Sequence, residues 1–234
     1  MDYLKSKDRK KTRLILEIRY QPLVAAFDRR GQILQKIHPK FKDKMENWNV
    51  ENVQVTMSDS QEKPEKLIQI SHMRSLIVYE DPSTIEEFIN DSAKFCKSFY
   101  EVFPELDSVS RIGFRTISIF EASKYQKYED VLTAISVEYL PERLSERIPF
   151  TDTRITLRND TYQINIGPFK EDEDWAKTMF TNQEKNIPKF GIGLDIDSFA
   201  HETQIKNEKA LISTVSTVQE LNFSLELALM KNLL

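Results

Sequence analysis

Glycine is scarce in this chain, with five among 234 residues, and cysteine occurs once. So few glycines leave no Gly-rich loop to cradle a phosphate, and no Gly-x-Ser-x-Gly nucleophile elbow is present. Neither Cys-x-x-Cys nor His-Glu-x-x-His occurs, so no metal centre and no cofactor is expected. The lone Cys96 excludes an intrachain disulfide and suits a reducing compartment. It falls on an apolar helical stripe, where a free thiol behaves as a small buried hydrophobe. Long apolar runs are missing too: none approaches the roughly 20 residues that cross a bilayer. Met1-Asp2-Tyr3-Leu4-Lys5 has no hydrophobic signal-peptide core. The expected location is the cytoplasm, with no membrane partner.

Charge of either sign is plentiful, with 33 basic and 37 acidic residues giving a net charge of −4. That balance, with a pI near 5.6, argues against a general nucleic-acid binder. One local exception is Lys5, Lys7, Arg9, Lys10 and Lys11, read as a solvated basic arm over residues 1–11.

Two stretches read as copies of each other. Thr12-Arg13-Leu14-Ile15-Leu16 matches Ser110-Arg111-Ile112-Gly113-Phe114, and Ile33-Leu34-Gln35-Lys36-Ile37 matches Val131-Leu132-Thr133-Ala134-Ile135. The spacing is constant (111 less 13, and 132 less 34, both 98). A strand opening and a helix recurring at one offset predict two copies of one supersecondary plan, over residues 12–106 and 107–234.

Periodicity fills in that plan. Leu14, Leu16, Ile18 and Tyr20 alternate as a half-buried strand. A helix from about Phe27 carries Ile33, Leu34 and Ile37, with Pro39 expected to stop it and His38 at its end. Strands follow at Asn52–Met57, Lys66–Ser71 and Arg74–Tyr79, with His72 in a hairpin turn. Ser83 and Glu86 then read as a capping box opening a helix with Phe88, Phe95, Cys96, Phe99 and Phe103 on one face, closed by Pro104. The second half repeats the order: a strand at Arg111–Phe120, a helix from Tyr128, a hairpin turning at Asn159-Asp160, a strand at Phe190–Ile196 and a long helix over Thr203–Leu233. In that last helix Asn222 interrupts an apolar stripe. The expected fold is α+β: two pseudo-repeats of strand, helix, three strands and long helix, forming one curved antiparallel sheet with helices on one face.

Two places carry chemical potential. Asp195 and Asp197 share a strand face, and His201 follows at the expected start of the long helix. Arg111 and Arg115 share a strand face with Gly113 between them, open to an anionic ligand or to internal acids such as Asp195 and Asp197. Between Ile166 and Phe190 lies an acidic insertion, Lys170-Glu171-Asp172-Glu173-Asp174, followed by Trp175 and Phe180, which reads as a partner-contacting loop.

Pro22-Leu23-Val24, Trp48, the helix ending Phe99-Tyr100-Glu101-Val102-Phe103-Pro104-Glu105 and the strand Arg111-Ile112-Gly113-Phe114-Arg115-Thr116-Ile117 together resemble a sporadically distributed bacterial family of about this length with no established activity. Thr116 stands where that family usually has an aromatic, and the Pro-Leu-Val element follows the first strand instead of preceding it. The resemblance implies a bacterial cytoplasmic protein with the patchy distribution of defence or toxin–antitoxin cargo. The duplicated plan is also similar to TATA-binding-protein-like folds and, more loosely, to helix-grip folds.

These readings converge on a non-enzymatic protein-binding module, an accessory or inhibitory component of a bacterial defence or toxin–antitoxin pair, open to homo-oligomerisation. The alternative is a small-ligand-binding or hydrolytic protein with Arg111, Arg115, Asp195, Asp197 and His201 lining a groove between sheet and long helices.

Overall fold

Residues 8–142, 152–171, 178–181, 187–231 and 233 are described by the computed structural model. One open sheet of nine antiparallel strands organises them, in the order β2-β3-β4-β5-β1-β6-β9-β8-β7. The strands are β1 (Arg9–Arg19), β2 (Asn47–Val50), β3 (Gln54–Ser58), β4 (Lys66–Ser71), β5 (Arg74–Glu80), β6 (Ser108–Glu121), β7 (Ile155–Arg158), β8 (Tyr162–Lys170) and β9 (Phe190–Gln204). The helices are α1 (Ala25–Asp28), α2 (Arg30–Phe41), α3 (Ile85–Val102), α4 (Tyr128–Tyr139) and α5 (Glu208–Met230). The α+β class is as expected. Among the described residues no helix is long and apolar enough to cross a membrane.

Strand alternation divides the sheet into two unlike faces. Leu14, Leu16 and Ile18 of β1, Ile77 and Tyr79 of β5, and Ile112 and Phe114 of β6 share one face and pack on α2, α3 and the first half of α5. Farther along the same face, Ile164, Ile166, Ile192, Leu194 and Ile196 pack on α4 and the end of α5. The helices α2 to α5 thus cover this face, and the residues of opposite parity form an open one.

Helix α3 follows its sequence signal closely. Phe88, Phe95, Cys96 and Phe99 are all fully buried, at three-, four- and seven-residue spacings. Burial in that apolar setting pushes the Cys96 thiol up to about 12. The cap is one residue later than expected: Thr84 is the N-cap, its hydroxyl accepting from the backbone N–H of Glu87 at 3.1 Å.

Other boundaries move further. Helix α2 runs through Pro39 to Phe41, because Phe41 is buried against the core and holds the last turn in place. The first strand starts at Arg9, so Arg9, Lys10 and Lys11 belong to β1 and not to a solvated arm. Arg9 pairs with Glu226 of α5 beneath the sheet, with side chains 6% and 2% exposed. Lys11 pairs with Glu80 on the open face at 3.1 Å. Strand β9 continues to Gln204, bonded to Ser108 of β6, and α5 starts only after the Asn207 cap. The carbonyl of the Asn207 side chain accepts from Ala210 N–H at 2.9 Å. Sequence periodicity also misses β2, a four-residue edge strand.

Asn222 explains its place in the apolar stripe of α5. Its Nδ2 donates to the carbonyls of Phe114 and Ile196, both at 2.9 Å, and its Oδ1 accepts from Thr116 at 2.7 Å. The amide thereby ties α5 to adjacent strands β6 and β9, with every distance in the normal hydrogen-bond range.

Candidate functional site

All five candidate polar residues stand on the open face. Asp195 and Asp197 alternate with Leu194 and Ile196, which face α4 and α5, so strand parity sends both carboxylates away from the helices. The expected groove between sheet and long helices is therefore not where they lie. His201 is on β9, directly opposite Arg111, and not at a helix start.

The register arranges this face in rows across the strands. Arg74, Arg19, Arg111 and His201 stand side by side on β5, β1, β6 and β9. The next row is Leu76, Glu17, Gly113 and Phe199. Beyond it come Val78, Ile15, Arg115, Asp197 and Gln163, then Glu80, Arg13, Ile117, Asp195 and Asn165.

Within these rows both aspartates are paired side chain to side chain with arginines. Arg115 grips Asp195 with two parallel bonds, Nε to Oδ1 at 2.7 Å and Nη2 to Oδ2 at 2.8 Å. Those bonds raise the Arg115 pKa above the ordinary arginine value. Asn165 Nδ2 adds a bond to Asp195 at 3.3 Å. Arg111 Nη2 reaches both oxygens of Asp197, at 2.6 and 2.7 Å, while its Nη1 reaches Glu17 at 3.1 Å. Burial pushes the Asp197 carboxyl up, with Arg111 working against it. The ring of Phe199 lies 4.9 Å from the Arg111 guanidinium and 4.9 Å from the His201 ring. Asp195 and Asp197 are thus each occupied by their own arginine, and His201 is exposed.

Sequence reasoning missed three members of this face: Glu17, Arg19 and Arg74. Glu17 Oε2 accepts from Arg19 Nε at 2.8 Å, and its other oxygen lies 3.8 Å from Arg74. The parity of β1 was enough to put Glu17 and Arg19 outside the core, but only the register brings Arg74 and Arg111 to either side of Arg19.

The far end of the open face is covered by the short segment 178–181. Phe180, expected to contact a partner, is 2% exposed and packs on Ile117, Ile119 and Phe169. These three apolar side chains need a cover, and the Phe180 ring supplies it. Arg13 Nη1 donates to the Met179 carbonyl at 2.9 Å, and the Thr181 N–H donates to Glu80 at 2.7 Å. Burial lowers the Arg13 pKa, with the charge of Arg115 acting in the same direction. Trp175, the other aromatic of the insertion, lies outside the described residues.

Among the described residues, no group of three or more His, Cys, Asp or Glu side chains is placed to hold a metal ion. What the fold and face define is an α+β protein with one helix-covered sheet face and one open, ion-paired face. No protein-family model matches the chain, and no curated protein matches it in sequence.

Proposed function

We propose that the protein is a non-enzymatic binding module that recognises an acidic segment of another protein through the open face of its sheet. One observation carries this reading: the row Arg74–Arg19–Arg111. Like charges directly opposite one another across strands destabilise a sheet. Here three guanidinium groups stand in consecutive strands and, among the described residues, are paired only with Glu17 and Asp197, leaving one positive charge in excess. The Arg19 and Arg74 side chains remain 53% and 52% exposed, while Glu17 is largely enclosed. The Arg19 and Arg111 forks are held by hydrogen bonds to Glu17, at 2.8 and 3.1 Å, which pre-organises them for carboxylates, and arginine is enriched at protein interfaces. An acidic partner would relieve the repulsion that the fold tolerates.

A role as an accessory or inhibitory component of a bacterial defence or toxin–antitoxin pair rests on the sequence resemblance alone. The two halves are further read as copies of one plan. Supporting that reading, the order outward from the centre is β1-β5-β4-β3 on one side, with β2 beyond it, and β6-β9-β8-β7 on the other. The spacing of 98 also relates Leu16 to Phe114, and these two stand directly opposite each other at the central pairing.

Face-specific variants test the reading. Arg19→Glu with Arg74→Glu is expected to abolish capture of the native partner from cells of the source organism, with the thermal midpoint unchanged because both side chains are surface groups. Val137→Asp and Leu227→Asp, at exposed positions on α4 and α5, are expected to leave capture intact. The reverse pattern would place the interface on the helical layer.

A further inference from the structure

We propose that the chain pairs with a second copy of itself through β2, extending two nine-stranded sheets into one continuous sheet about a two-fold axis at Asn49. This surface is separate from the open-face reading and stands or falls without it.

The backbone sets the geometry. Among the described residues, strand β2 is the last strand at its edge of the sheet and pairs only with β3. Glu51 N–H donates to the Gln54 carbonyl at 2.9 Å, closing the β2–β3 hairpin with a hydrogen-bonded pair. Hydrogen-bonded and non-hydrogen-bonded pairs alternate along an antiparallel ladder. Asn49 and Asn47 therefore exchange their bonds with Thr56 and Ser58, and the N–H and C=O groups of Trp48 and Val50 point outward from the edge. These outward groups are the ones that a further strand would use.

The side chains select a second copy as that strand. Residues directly opposite in an antiparallel pair share a face, so a two-fold at Asn49 sets Trp48 against Val50 of the second copy, twice. Each such pair exchanges two backbone bonds and joins an aromatic to a β-branched residue. Both residues are exposed in the single chain, Trp48 at 57% and Val50 at 39%. Glu51 falls opposite Asn47 of the second copy, so no like charges meet. The two helical layers stay on one side of the joined sheet, and so do the two open faces.

The two edges of the sheet also differ in protection. Edge strands are normally guarded by charge, proline or bulges. At the opposite edge, β7 ends in Arg158 and follows Arg154. Strand β2, Asn-Trp-Asn-Val, has no charge, no proline and no register shift against β3.

Sedimentation equilibrium of the full chain reads the association, and Val50→Pro tests its geometry. That substitution removes an outward N–H and leaves every bond to β3 in place. The wild type is expected to sediment as a dimer. Val50→Pro removes one bond from each copy and should raise the dimer dissociation constant about a hundredfold, with the circular-dichroism spectrum retained. Asn49→Cys gives an independent readout, because a non-hydrogen-bonded pair at the axis brings the two sulfurs within disulfide reach. Mild oxidation should link Asn49→Cys chains but not Leu157→Cys chains, the native Cys96 being buried. A wild type that is monomeric throughout the micromolar range, or a dimer that Val50→Pro leaves intact, overturns the proposal.

Discussion

Arg111 holds Asp197 by both carboxylate oxygens although Asp197 stands opposite Arg115, four residues further along β6. Four strand residues span about 13 Å, so the arginine must lie flat along its own strand to make that bond. It does so over Gly113. A Cβ built there would sit 2.2 Å from Arg111 Nη1.

The glycines of β6 and β9 therefore separate placement of the site from stability of the fold. At Gly191 an added Cβ would meet the Phe120 carbonyl oxygen at 2.0 Å, which is backbone of the paired strand β6 and cannot swing away. Gly113→Ala is expected to displace the Arg111 guanidinium while costing less than about 1 kcal/mol, since only the end of a flexible side chain must move. Gly191→Ala is expected to cost more than about 2 kcal/mol by forcing β6 and β9 apart. Urea denaturation of the two variants checks the contrast; equal losses would contradict it.

The Arg9–Glu226 pair gives a second test. Arg9 also donates to Ser118 at 2.9 Å and Thr12 at 3.2 Å, and its guanidinium lies 4.9 Å from the Phe120 ring. Removing one partner of a buried pair leaves an uncompensated charge. Arg9→Met alone is expected to lose about 3–5 kcal/mol, and the double variant Arg9→Met with Glu226→Leu to recover most of that loss. A double variant no more stable than the single one would show that the cost lies in packing.

Acid stability should depend on Asp91. This carboxylate accepts from Tyr79 at 2.6 Å, Lys44 at 2.5 Å and Lys94 at 3.0 Å. Burial alone would raise its pKa, but the three donors outweigh it and hold the group below the ordinary aspartate value of 3.8. A carboxyl with a depressed folded pKa stabilises the fold above its unfolded value and loses that contribution as pH falls through the folded one. Denaturation midpoints of the wild type should therefore drop as pH falls below 3.8, and the Asp91→Asn variant should start lower with a flatter profile there. Parallel profiles below that pH would contradict the assignment.

Phe180 makes the segment 178–181 part of the structure. Phe180→Ala is expected to cost about 3–5 kcal/mol, the range for emptying a large buried side chain, and to expose Ile117, Ile119 and Phe169 to a hydrophobic dye. Unchanged stability and no added dye binding would mean that these side chains are covered from elsewhere.

Local pattern revealed what local forces decide. The stripe of α3 was readable because burial at helical spacing dictates Phe88, Phe95 and Phe99 alike, and the Asn159 turn because one side chain organises it: Asn159 Oδ1 accepts from Thr161 N at 2.8 Å and Tyr162 N at 2.9 Å. Long-range pairing was hidden. Nothing near Arg74 in sequence indicates that Arg19 will stand opposite it, since that follows from the β1–β5 register. The helical pattern after Thr203 was outweighed by pairing of β9 with β6 as far as Ser108. Phe180 misled because an aromatic beside acidic residues looks exposed until three apolar side chains across the sheet are seen to need it. For the five polar candidates, parity correctly paired Asp195 with Asp197 and Arg111 with Arg115 on one face. It did not show that this face points away from the helices.

In-cell photo-cross-linking addresses recognition through the open face most directly. A benzophenone amino acid at Leu76, in the row beside Glu17 on the open face, is expected to give an adduct with a partner protein, and Arg19→Glu with Arg74→Glu should remove it. The same probe at Val137, 68% exposed on α4, is expected to give none. An adduct from Val137 and not from Leu76, or a Leu76 adduct indifferent to loss of both arginines, would contradict the assignment.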